Sequence, residues 1–425
     1  MTIAYAPSPA TTTPAPSAPT MLDLAADSAE TAAQNLLTHA IKIGASDLFL
    51  CSNEQHVLVQ ARHLGLMRPI AVLSCEQGRR LITLIKTRAS LDIAERRRPQ
   101  DGRWIYTHDD SNAVFDLRLS LIPTAHGEDL AIRLFDRTSK LYTLDGLGLS
   151  RQQRQTLSAT LESPGGLILF TGPTGSGKTA SLYACLQKLN DGKRKINTIE
   201  DPIEYSLDGA GGVRQSQINP AIDLGFSELL RSVMRQSPDV IMIGEIRDPE
   251  TAAIAIRAAN SGHLVLATIH SANAAGALQS MRALGVHSHF LATALRCVVA
   301  QRLVRTLCLQ CRTSFNLADA PHTFDEIAHL LAPAEGKNLS IARGCPACHQ
   351  TGYASRTGIF ELMPISRTLR NLISDNAPIR QIRMRAVEEK MVEFRHAALL
   401  KVAHGLTSTE EVFRNIPSEH LSAEE

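Results

Sequence analysis

The chain has 425 residues, too many for one ordinary hydrophobic core, so two or three domains are expected. Its 44 basic and 42 acidic side chains give a formal net charge of +2, which excludes a global electrostatic argument for nucleic acid as the main partner. No apolar run approaches the ~20 residues that cross a bilayer, and the chain does not open on a secretory signal, so a cytosolic protein is expected.

The amino-acid composition of the N-terminal third changes at about residue 28. Residues 1–28 are rich in Pro, Ala, Thr and Ser and offer few side chains to bury, which predicts a disordered leader. Residues 29–141 show a mixed pattern, with helices predicted over 32–43 and 76–89 and short strands around them. We expect an α+β domain there, of PAS-like type, and then a linker over 142–150.

In two segments of this domain, 114–121 and 129–135, apolar and polar residues alternate, which predicts a β-hairpin. If the turn is centred on Ala125 and His126, Arg118 lies directly across from Arg133 on the polar face. Two like charges opposite each other are unfavourable unless an anion lies near them. An ordinary surface pair of arginines is the alternative explanation at this point.

The next segment matches G-x-x-x-x-G-K-[ST], the pattern of a phosphate-binding loop, with an apolar strand over 166–170 before it and a helix-compatible stretch over 180–186 after it. Backbone N–H groups and the helix N-terminus surround nucleotide phosphates in such loops. Lys178 is expected to reach the β- and γ-phosphates, and the Thr179 hydroxyl to bind Mg²⁺. A glycine-rich turn that matches by chance is the alternative. The residues expected to bind the nucleotide are Gly172, Pro173, Thr174, Gly175, Ser176, Gly177, Lys178 and Thr179.

Apolar strands alternate with helical segments through residues 151–305; the strands lie at 166–170, 196–199, 240–243 and 264–269. This spacing predicts a parallel sheet with helices on both faces. Ligands of such sheets gather at the carboxyl ends of the strands. Polar residues at those ends are therefore the candidates for chemistry.

Three of the strands end in such residues: Glu200, Glu245 and His270. Gly244 stands where a Mg²⁺-binding Asp is usual, so Glu200 is the best-placed candidate for the metal-side carboxylate. Glu245 is then expected to polarise the attacking water as catalytic base. His270 is expected to sense the γ-phosphate, with a purely structural histidine as the alternative.

Four of the eight cysteines form two C-x-x-C pairs: Cys308, Cys311, Cys345 and Cys348. In a reducing compartment such pairs favour a metal over disulfides, and four thiolates predict a closed, structural Zn²⁺ site. Four thiols unrelated in space are the alternative. We expect a zinc-binding module over 306–352 and a helical C-terminal region, without chemistry of its own, over 353–425.

Together these motifs resemble the secretion ATPases, the motors of type II secretion and type IV pilus assembly. The shared tracts are RRPQDGR at 97–103, GPTGSGKT at 172–179, TIEDPIEY at 198–205, DVIMIGEIRD at 239–248 and GHLVLATIHSANA at 262–274. The tract VAQRLVRTLCLQC at 299–311, followed by GCPACHQTGYASRTGIFELM at 344–363, is similar to the assembly branch of GspE or PilB type. Retraction ATPases lack that metal module. The likeness covers roughly residues 40–415.

The resemblance implies a RecA-like P-loop core in a ring of six subunits, with ATP and Mg²⁺ bound at subunit boundaries. It further implies that Arg118 and Arg133 reach the site from the N-terminal domain and stabilise the transferring phosphoryl group. The implied partners are an inner-membrane platform protein and cytoplasmic components of the secretion or pilus machine. The protein would thus be cytoplasmic and peripheral to the inner membrane.

The sequence departs from the family pattern in places. Phe49 and Cys51 replace the His and Glu that usually follow G-A-S-D, and Ser237 stands where Asp is common. A proline-rich leader stands where relatives usually carry docking domains, so the mode of recruitment is open. Two alternative functions are a nucleic-acid motor of the RecA-like class and a pilus retraction ATPase. The aromatic content of 4% disfavours the nucleic-acid motor, because few aromatic rings are present to stack on bases. A scaffold that binds ATP without hydrolysis is disfavoured by Lys178 and Glu245.

Overall fold

The computed structural model describes residues 21–108, 111–137, 143–207, 212–318 and 320–417. The chain divides into two compact units. Of the described residues, the first unit holds those up to Phe135 together with Cys308–Thr313 and Ala342–Ala354. The second unit holds the described residues of Asp136–Leu307 and Ser314–Ile341 and those from Ser355 onward. Two short segments of the C-terminal half therefore belong to the first unit.

The N-terminal elements form a mixed α+β unit. They are α1 (Ala29–Lys42), β1 (Ala45–Ser52), β2 (His56–His63), β3 (Leu66–Ser74), α2 (Cys75–Arg88), β4 (Gln100–Thr107), β5 (Val114–Thr124) and β6 (Gly127–Asp136). The strands make one six-stranded sheet in the order β3-β2-β1-β6-β5-β4. The two helices predicted from the sequence are confirmed as α1 and α2.

Helix capping and strand alternation explain these elements. The Ser28 side chain accepts a hydrogen bond from the Thr31 N–H at the start of α1, and Ser74 forms a capping box with Gln77 at the start of α2. Alternate residues of β5, from Leu117 to Leu121, are buried. Both helices pack against the sheet, and the core lies between them.

The end of the predicted leader belongs to this unit. Leu24 is buried, and the Leu22 N–H donates to the Ile70 carbonyl oxygen at 2.7 Å. Gln77 Nε2 donates to the Ala25 carbonyl oxygen at 2.7 Å. The predicted boundary at residue 28 is therefore too late, because the two leucines supply apolar surface that the overall composition of 1–28 conceals. Residues 1–20 lie outside the described part of the chain.

The remainder of the chain contains many more elements, first α3 (Arg151–Leu161), β7 (Gly166–Thr171), α4 (Lys178–Leu189), β8 (Ile196–Glu200), β9 (Val213–Gln217), α5 (Phe226–Met234), β10 (Val240–Ile243), α6 (Pro249–Asn260), β11 (Leu264–Ile269), α7 (Ala274–Ala283), α8 (Ser288–Ala294) and β12 (Leu295–Leu307). After these come β13 (Thr313–Asn316), β14 (Asn338–Ile341), β15 (Tyr353–Pro364), α9 (Arg367–Ser374), α10 (Ile379–Glu388), α11 (Phe394–Ala403) and α12 (Thr409–Asn415). Short 3₁₀ helices cover Leu144–Leu147, Pro220–Ile222 and Pro346–Cys348, and two more, joined by a kink at Phe324, cover Pro321–Leu330.

The second unit is organised around a seven-stranded sheet in the order β15-β12-β7-β11-β10-β8-β9. Each neighbouring pair from β12 to β9 is parallel. Leu167 and Leu169 of β7 pack into one hydrophobic core, and Ile168 and Phe170 pack into another. Both faces of the sheet are therefore covered, which explains the continuous apolar runs and confirms the predicted α/β core.

In the C-terminal third, the structure differs from the predicted domain boundaries. The region predicted to be helical from residue 353 begins with β15, which joins the large sheet beside β12. The two C-x-x-C pairs fall in the first unit, whereas residues 314–341 between them fall in the second. The predicted module over 306–352 is thus shared between the units. In the described part of the chain, no helix combines the length and the apolarity that crossing a membrane requires.

Candidate active site

The phosphate-binding loop connects β7 to α4 and depends on its glycines. Gly172, Gly175 and Gly177 have φ values of 144°, 76° and 87°, which side chains rarely tolerate. A Cβ at Gly172 would lie 2.3 Å from the Gln301 carbonyl oxygen. The pattern therefore selects glycine both for backbone conformation and for the close approach of β12.

Lys178 and Ser176 line this loop. Lys178 Nζ donates to the carbonyl oxygens of Gly172 at 2.7 Å and Pro173 at 3.1 Å. Burial lowers the pKa of Lys178, and the charge of Glu245 opposes that shift. The Ser176 hydroxyl is buried and has no hydrogen-bond partner among the described residues. A half-buried cation and an unused hydroxyl inside a curl of backbone N–H groups fit nucleotide phosphates.

The Thr179 hydroxyl contacts the carboxylate of Glu204, whereas the sequence favours Glu200 for this end of β8. Thr179 Oγ1 donates to Glu204 Oε1 at 3.5 Å. Glu200 is only 3% exposed, and its Oε1 accepts hydrogen bonds from Thr198 Oγ1 at 2.5 Å and Gln215 Nε2 at 3.0 Å. Its other oxygen accepts from the Tyr183 hydroxyl. Glu200 is therefore committed to a buried polar cluster, and the loop after it carries the carboxylate that reaches Thr179.

That cluster holds the loop in place. Gln215 Nε2 donates to the Tyr205 carbonyl oxygen at 3.0 Å, and the Tyr205 N–H donates to the Tyr183 hydroxyl oxygen at 3.5 Å. Burial, followed by the neighbouring Glu200 carboxylate, raises the pKa of Tyr183, so its hydroxyl stays protonated and remains a donor. Glu200 thus anchors the segment that presents Glu204.

Glu245, His270 and Arg247 meet at the carboxyl ends of β10 and β11. Glu245 Oε1 lies 2.7 Å from His270 Nε2, and Glu245 Oε2 lies 2.5 Å from Arg247 Nη2. The Glu245 side chain is 14% exposed, against 54% for His270 and 61% for Arg247. Hydrogen bonding to Glu245 raises the pKa of Arg247. The structure therefore brings together the two strand-end residues predicted from the sequence and adds Arg247 to them.

Gly244, at the end of β10, lies close to the backbone of β8, which explains why glycine occupies this position. Its N–H donates to the Ile199 carbonyl oxygen at 2.8 Å. A Cβ at this position would lie 3.2 Å from the same oxygen, tighter than an ordinary contact. A side chain at position 244 would therefore press on the backbone of β8.

Arg118 and Arg133 lie on neighbouring strands of the first unit. Strands β5 and β6 are joined by Ala125 and His126, the predicted turn, so counting back in step places Arg118 opposite Arg133. Arg118 lies over the Phe135 ring, with 4.5 Å between its guanidinium carbon and the ring centroid.

The same row of the sheet carries further guanidinium groups. Asp47 pairs across the strands with both Arg62 and Arg133, and Arg103 pairs with Arg118. Arg133 Nε donates to Asp47 Oδ1 at 3.1 Å while its side chain stays 62% exposed. Asp47 serves two of these arginines, and Asp116 pairs with Arg103 at 2.7 Å. Four guanidinium groups against two carboxylates leave this part of the sheet with a net positive charge suited to an anion.

The four paired cysteines converge. Their sulfur atoms lie within 4.8 Å of one another. The Sγ separations are 3.9 Å for Cys308 and Cys345, 3.8 Å for Cys311 and Cys348, and 3.7 Å for Cys345 and Cys348. A tetrahedral Zn²⁺ with Zn–S bonds of about 2.3 Å holds its sulfurs about 3.8 Å apart, so these residues fit the ion.

Backbone donors support the cysteine cluster. Burial would raise the pKa of Cys348, but hydrogen bonds from the N–H groups of Cys345 and Gly352, together with those from the thiols of Cys345 and Cys311, lower it. Within the first unit, Arg68 Nη2 donates to the His349 carbonyl oxygen at 2.7 Å. The second cysteine pair is thereby fastened to β3, which explains why it belongs to the first unit.

We expect Cys345→Ser to remove one equivalent of zinc per chain and to lower the thermal unfolding midpoint, because three thiolates leave a weaker site. Metal analysis and thermal unfolding measure both effects. Cys51→Ser is the matched control, since Cys51 is a half-buried free cysteine outside the cluster. Equal zinc content in Cys345→Ser and wild type would contradict the four-thiolate site.

The sequence pattern favours Glu200 over Glu204 and singles out no role for Arg247. A strand buried on both faces takes its last residue into the core, which is where Glu200 lies. Glu204 follows Pro202 and is outside the strand, so a distinction between strand and loop positions would have selected it. No sequence signal separates Arg247 from other surface arginines, because its role depends on contact with Glu245.

Comparison with known proteins places these features in context. The family model described as "Type II/IV secretion system protein" matches residues 25–414. The chain is 42% identical over 379 residues to "Type II secretion system protein E" of Dickeya dadantii, covering 89% of this chain and 74% of that protein. It is 41% identical over 382 residues to "Type II secretion system ATPase E" of Vibrio cholerae, covering 89% and 73%. The solved Legionella pneumophila ATPase DotB is similar in fold, with a TM-score of 0.67 at 20% identity over 89% of this chain and 94% of that one.

Proposed function

The chain belongs to the Type II/IV secretion system protein family, and on that premise we propose that it hydrolyses ATP to drive a type II secretion machine or a closely related pilus-assembly machine. The observation that carries the proposal is the convergence of Lys178, Glu245 and His270 beside a glycine-dependent phosphate loop. Curated relatives at about 40% identity are named as type II secretion proteins, which supports secretion as the task.

The loop residues would bind the triphosphate. On binding, Lys178 would exchange its two loop carbonyl partners for phosphate oxygens, and the Ser176 hydroxyl would gain a partner. Mg²⁺, when bound, neutralises phosphate charge, and Thr179 and Glu204 are the residues that would hold it. This assignment replaces Glu200 with Glu204 on the contact geometry.

Glu245 is the proposed catalytic base. Its carboxylate is mostly buried and is held from two sides by His270 and Arg247. A carboxylate fixed in this way can accept a proton from the attacking water at a defined oxygen. His270 lies at the neighbouring strand end with half its surface exposed, as a γ-phosphate sensor requires.

Arg118 and Arg133 are proposed to complete the site of a neighbouring subunit in a ring of six. Guanidinium groups supplied to a phosphate-binding loop stabilise the negative charge of the transferring phosphoryl group. The exposed, cationic row on the first unit supports this role. We further propose an inner-membrane platform protein as the partner, and a position at the cytoplasmic face of that membrane.

Deletion and complementation in the source bacterium test the function. We expect deletion of the gene to stop the release of exported proteins or the formation of pili, and wild type to restore it. The purified protein should hydrolyse ATP only with Mg²⁺, without stimulation by single-stranded DNA. Strong stimulation by DNA together with normal secretion in the deletion strain would overturn the proposal and favour a nucleic-acid motor.

We expect Glu204→Gln to lower Mg²⁺ affinity and turnover, with the rate partly recovered at high Mg²⁺, because Glu204 contacts Thr179. Glu200→Gln should instead lower thermal stability, since it disrupts a buried hydrogen-bonded cluster. A Mg²⁺ titration of ATPase rate and a thermal unfolding curve separate the two. A shifted Mg²⁺ dependence in Glu200→Gln alone would reverse the assignment.

A further inference from the structure

The chain from 270 to 273, here called the sensor segment, connects β11 to α7. At its start, His270 contacts Glu245. The Ser271 carbonyl oxygen accepts from Thr171 Oγ1 at 3.3 Å, just before the phosphate loop. The sensor segment therefore contacts both the proposed base and the end of the strand that leads into the loop.

Glu361, on β15, binds the residue that follows the sensor segment. It is 3% exposed, and its Oε2 accepts from the Ala274 N–H at 3.0 Å. Its Oε1 accepts from the Phe394 N–H at 3.0 Å. These are the first residues of α7 and α11. One buried carboxylate thus joins the N-termini of two helices, and each oxygen serves a different one.

Arg302, on β12, makes a second connection between the same elements. Its Nη2 donates to the Ala272 carbonyl oxygen and its Nη1 to the Asn415 carbonyl oxygen, both at 3.4 Å. Its guanidinium carbon lies 5.4 Å from the centroid of the Phe394 ring. Arg302 is 8% exposed. A single buried cation therefore contacts the sensor segment, α11 and the end of α12.

We propose that Glu361 and Arg302 are positioning residues that couple the sensor segment to helices α11 and α12. The inference rests on the proposed function, because it assigns to the ATPase site an output in the C-terminal helices. A displacement of His270 moves Ala272 and Ala274 with it, since they lie within four residues on one short connection. Glu361 transmits the displacement of Ala274 to α11. Arg302 transmits the displacement of Ala272 to α11 and to the end of α12.

Glu361→Gln tests this coupling. The amide keeps one acceptor oxygen but faces the other helix N-terminus with a donor, so one of the two contacts is lost. We expect kcat to fall about tenfold while the affinity for a non-hydrolysable ATP analogue stays within about twofold of wild type. In wild type, hydrogen exchange in α11 should slow when the analogue is added, and this difference should vanish in Glu361→Gln.

A matched control variant and a double variant distinguish a positioning role of Glu361 from an effect on stability alone. Glu326 also contacts α11, through Arg395 and His396, but does not touch the sensor segment, so Glu326→Gln should leave kcat unchanged. In a His270→Ala background, Glu361→Gln should lower kcat no further, because its effect passes through His270. If Glu361→Gln does not fold, Arg302→Lys carries the same expectations.

Two results would overturn the coupling. One is a nucleotide-dependent exchange difference in α11 of Glu361→Gln equal to that of wild type. The other is an unchanged penalty of Glu361→Gln when His270 is already replaced. Wild-type turnover tests the proposed function separately, because the coupling measurements compare variants that all bind the nucleotide.

Discussion

Glu245→Gln should bind ATP as tightly as wild type and hydrolyse it about 10²–10⁴-fold more slowly, the range expected for loss of a general base. The amide keeps the shape of the side chain but has no basic oxygen of comparable strength. The amide oxygen can still accept from Arg247, and neither Arg247 nor His270 belongs to the phosphate loop, so nucleotide binding should not suffer. The effect should therefore fall on kcat and leave the affinity for ATP unchanged.

Single-turnover kinetics and binding of a fluorescent ATP analogue measure the two quantities. Glu250→Gln is the matched control, because Glu250 lies on the surface of the same unit in an exposed ion pair with Arg231. We expect this control to hydrolyse ATP at the wild-type rate. Wild-type turnover in Glu245→Gln would remove Glu245 from its proposed role.

Arg118→Ala should lower kcat about 10³-fold or more, the effect expected when an arginine that stabilises the transferring phosphoryl group is removed. Arg118 lies on the cationic row of the first unit, over the Phe135 ring, while its neighbours Leu117 and Leu119 fill the core of that unit. Nucleotide binding to the loop of the second unit should persist.

Thermal unfolding distinguishes this loss from misfolding, and Arg80→Ala supplies the control. Arg80 belongs to the same unit and makes an exposed pair with Glu76 on α2. Arg80→Ala should unfold near the wild-type midpoint, because exposed pairs contribute little to stability. Arg118→Ala loses a contact with the Phe135 ring worth about 0.5–1 kcal/mol, so its midpoint should fall only slightly. A parallel fall in the unfolding midpoint and the rate of Arg118→Ala would mean that the arginine acts on folding.

The sheet core and most strand ends were predictable from the sequence. Strands buried on both faces leave continuous apolar runs, and β7 together with the glycine pattern determines the phosphate loop. The position of Glu245 and His270 at neighbouring strand ends follows from the parallel order of β10 and β11. Local pattern and chain direction were sufficient for these features.

The features that the sequence did not predict depend on contacts between distant segments of the chain. Glu200 and Glu204 are both acidic residues near one strand end, and the contacts that distinguish them, Tyr183 with Glu200 and Thr179 with Glu204, are made by a different segment of the chain. Leu22 and Leu24 lie in a polar stretch and are buried only because the first unit offers a surface. The joining of β15 to the large sheet likewise depends on its pairing with a distant strand.

The central claim is that a site built from Lys178, Glu245 and His270 is completed by arginines of another subunit. Mixing Glu245→Gln with Arg118→Ala protein tests it most directly, after tag-based capture has shown that mixed rings form. Randomly assembled rings should then regain about a quarter of the wild-type rate, because that share of boundaries joins an intact base to an intact arginine. A mixture no more active than the average of its two components would contradict completion of the site between subunits.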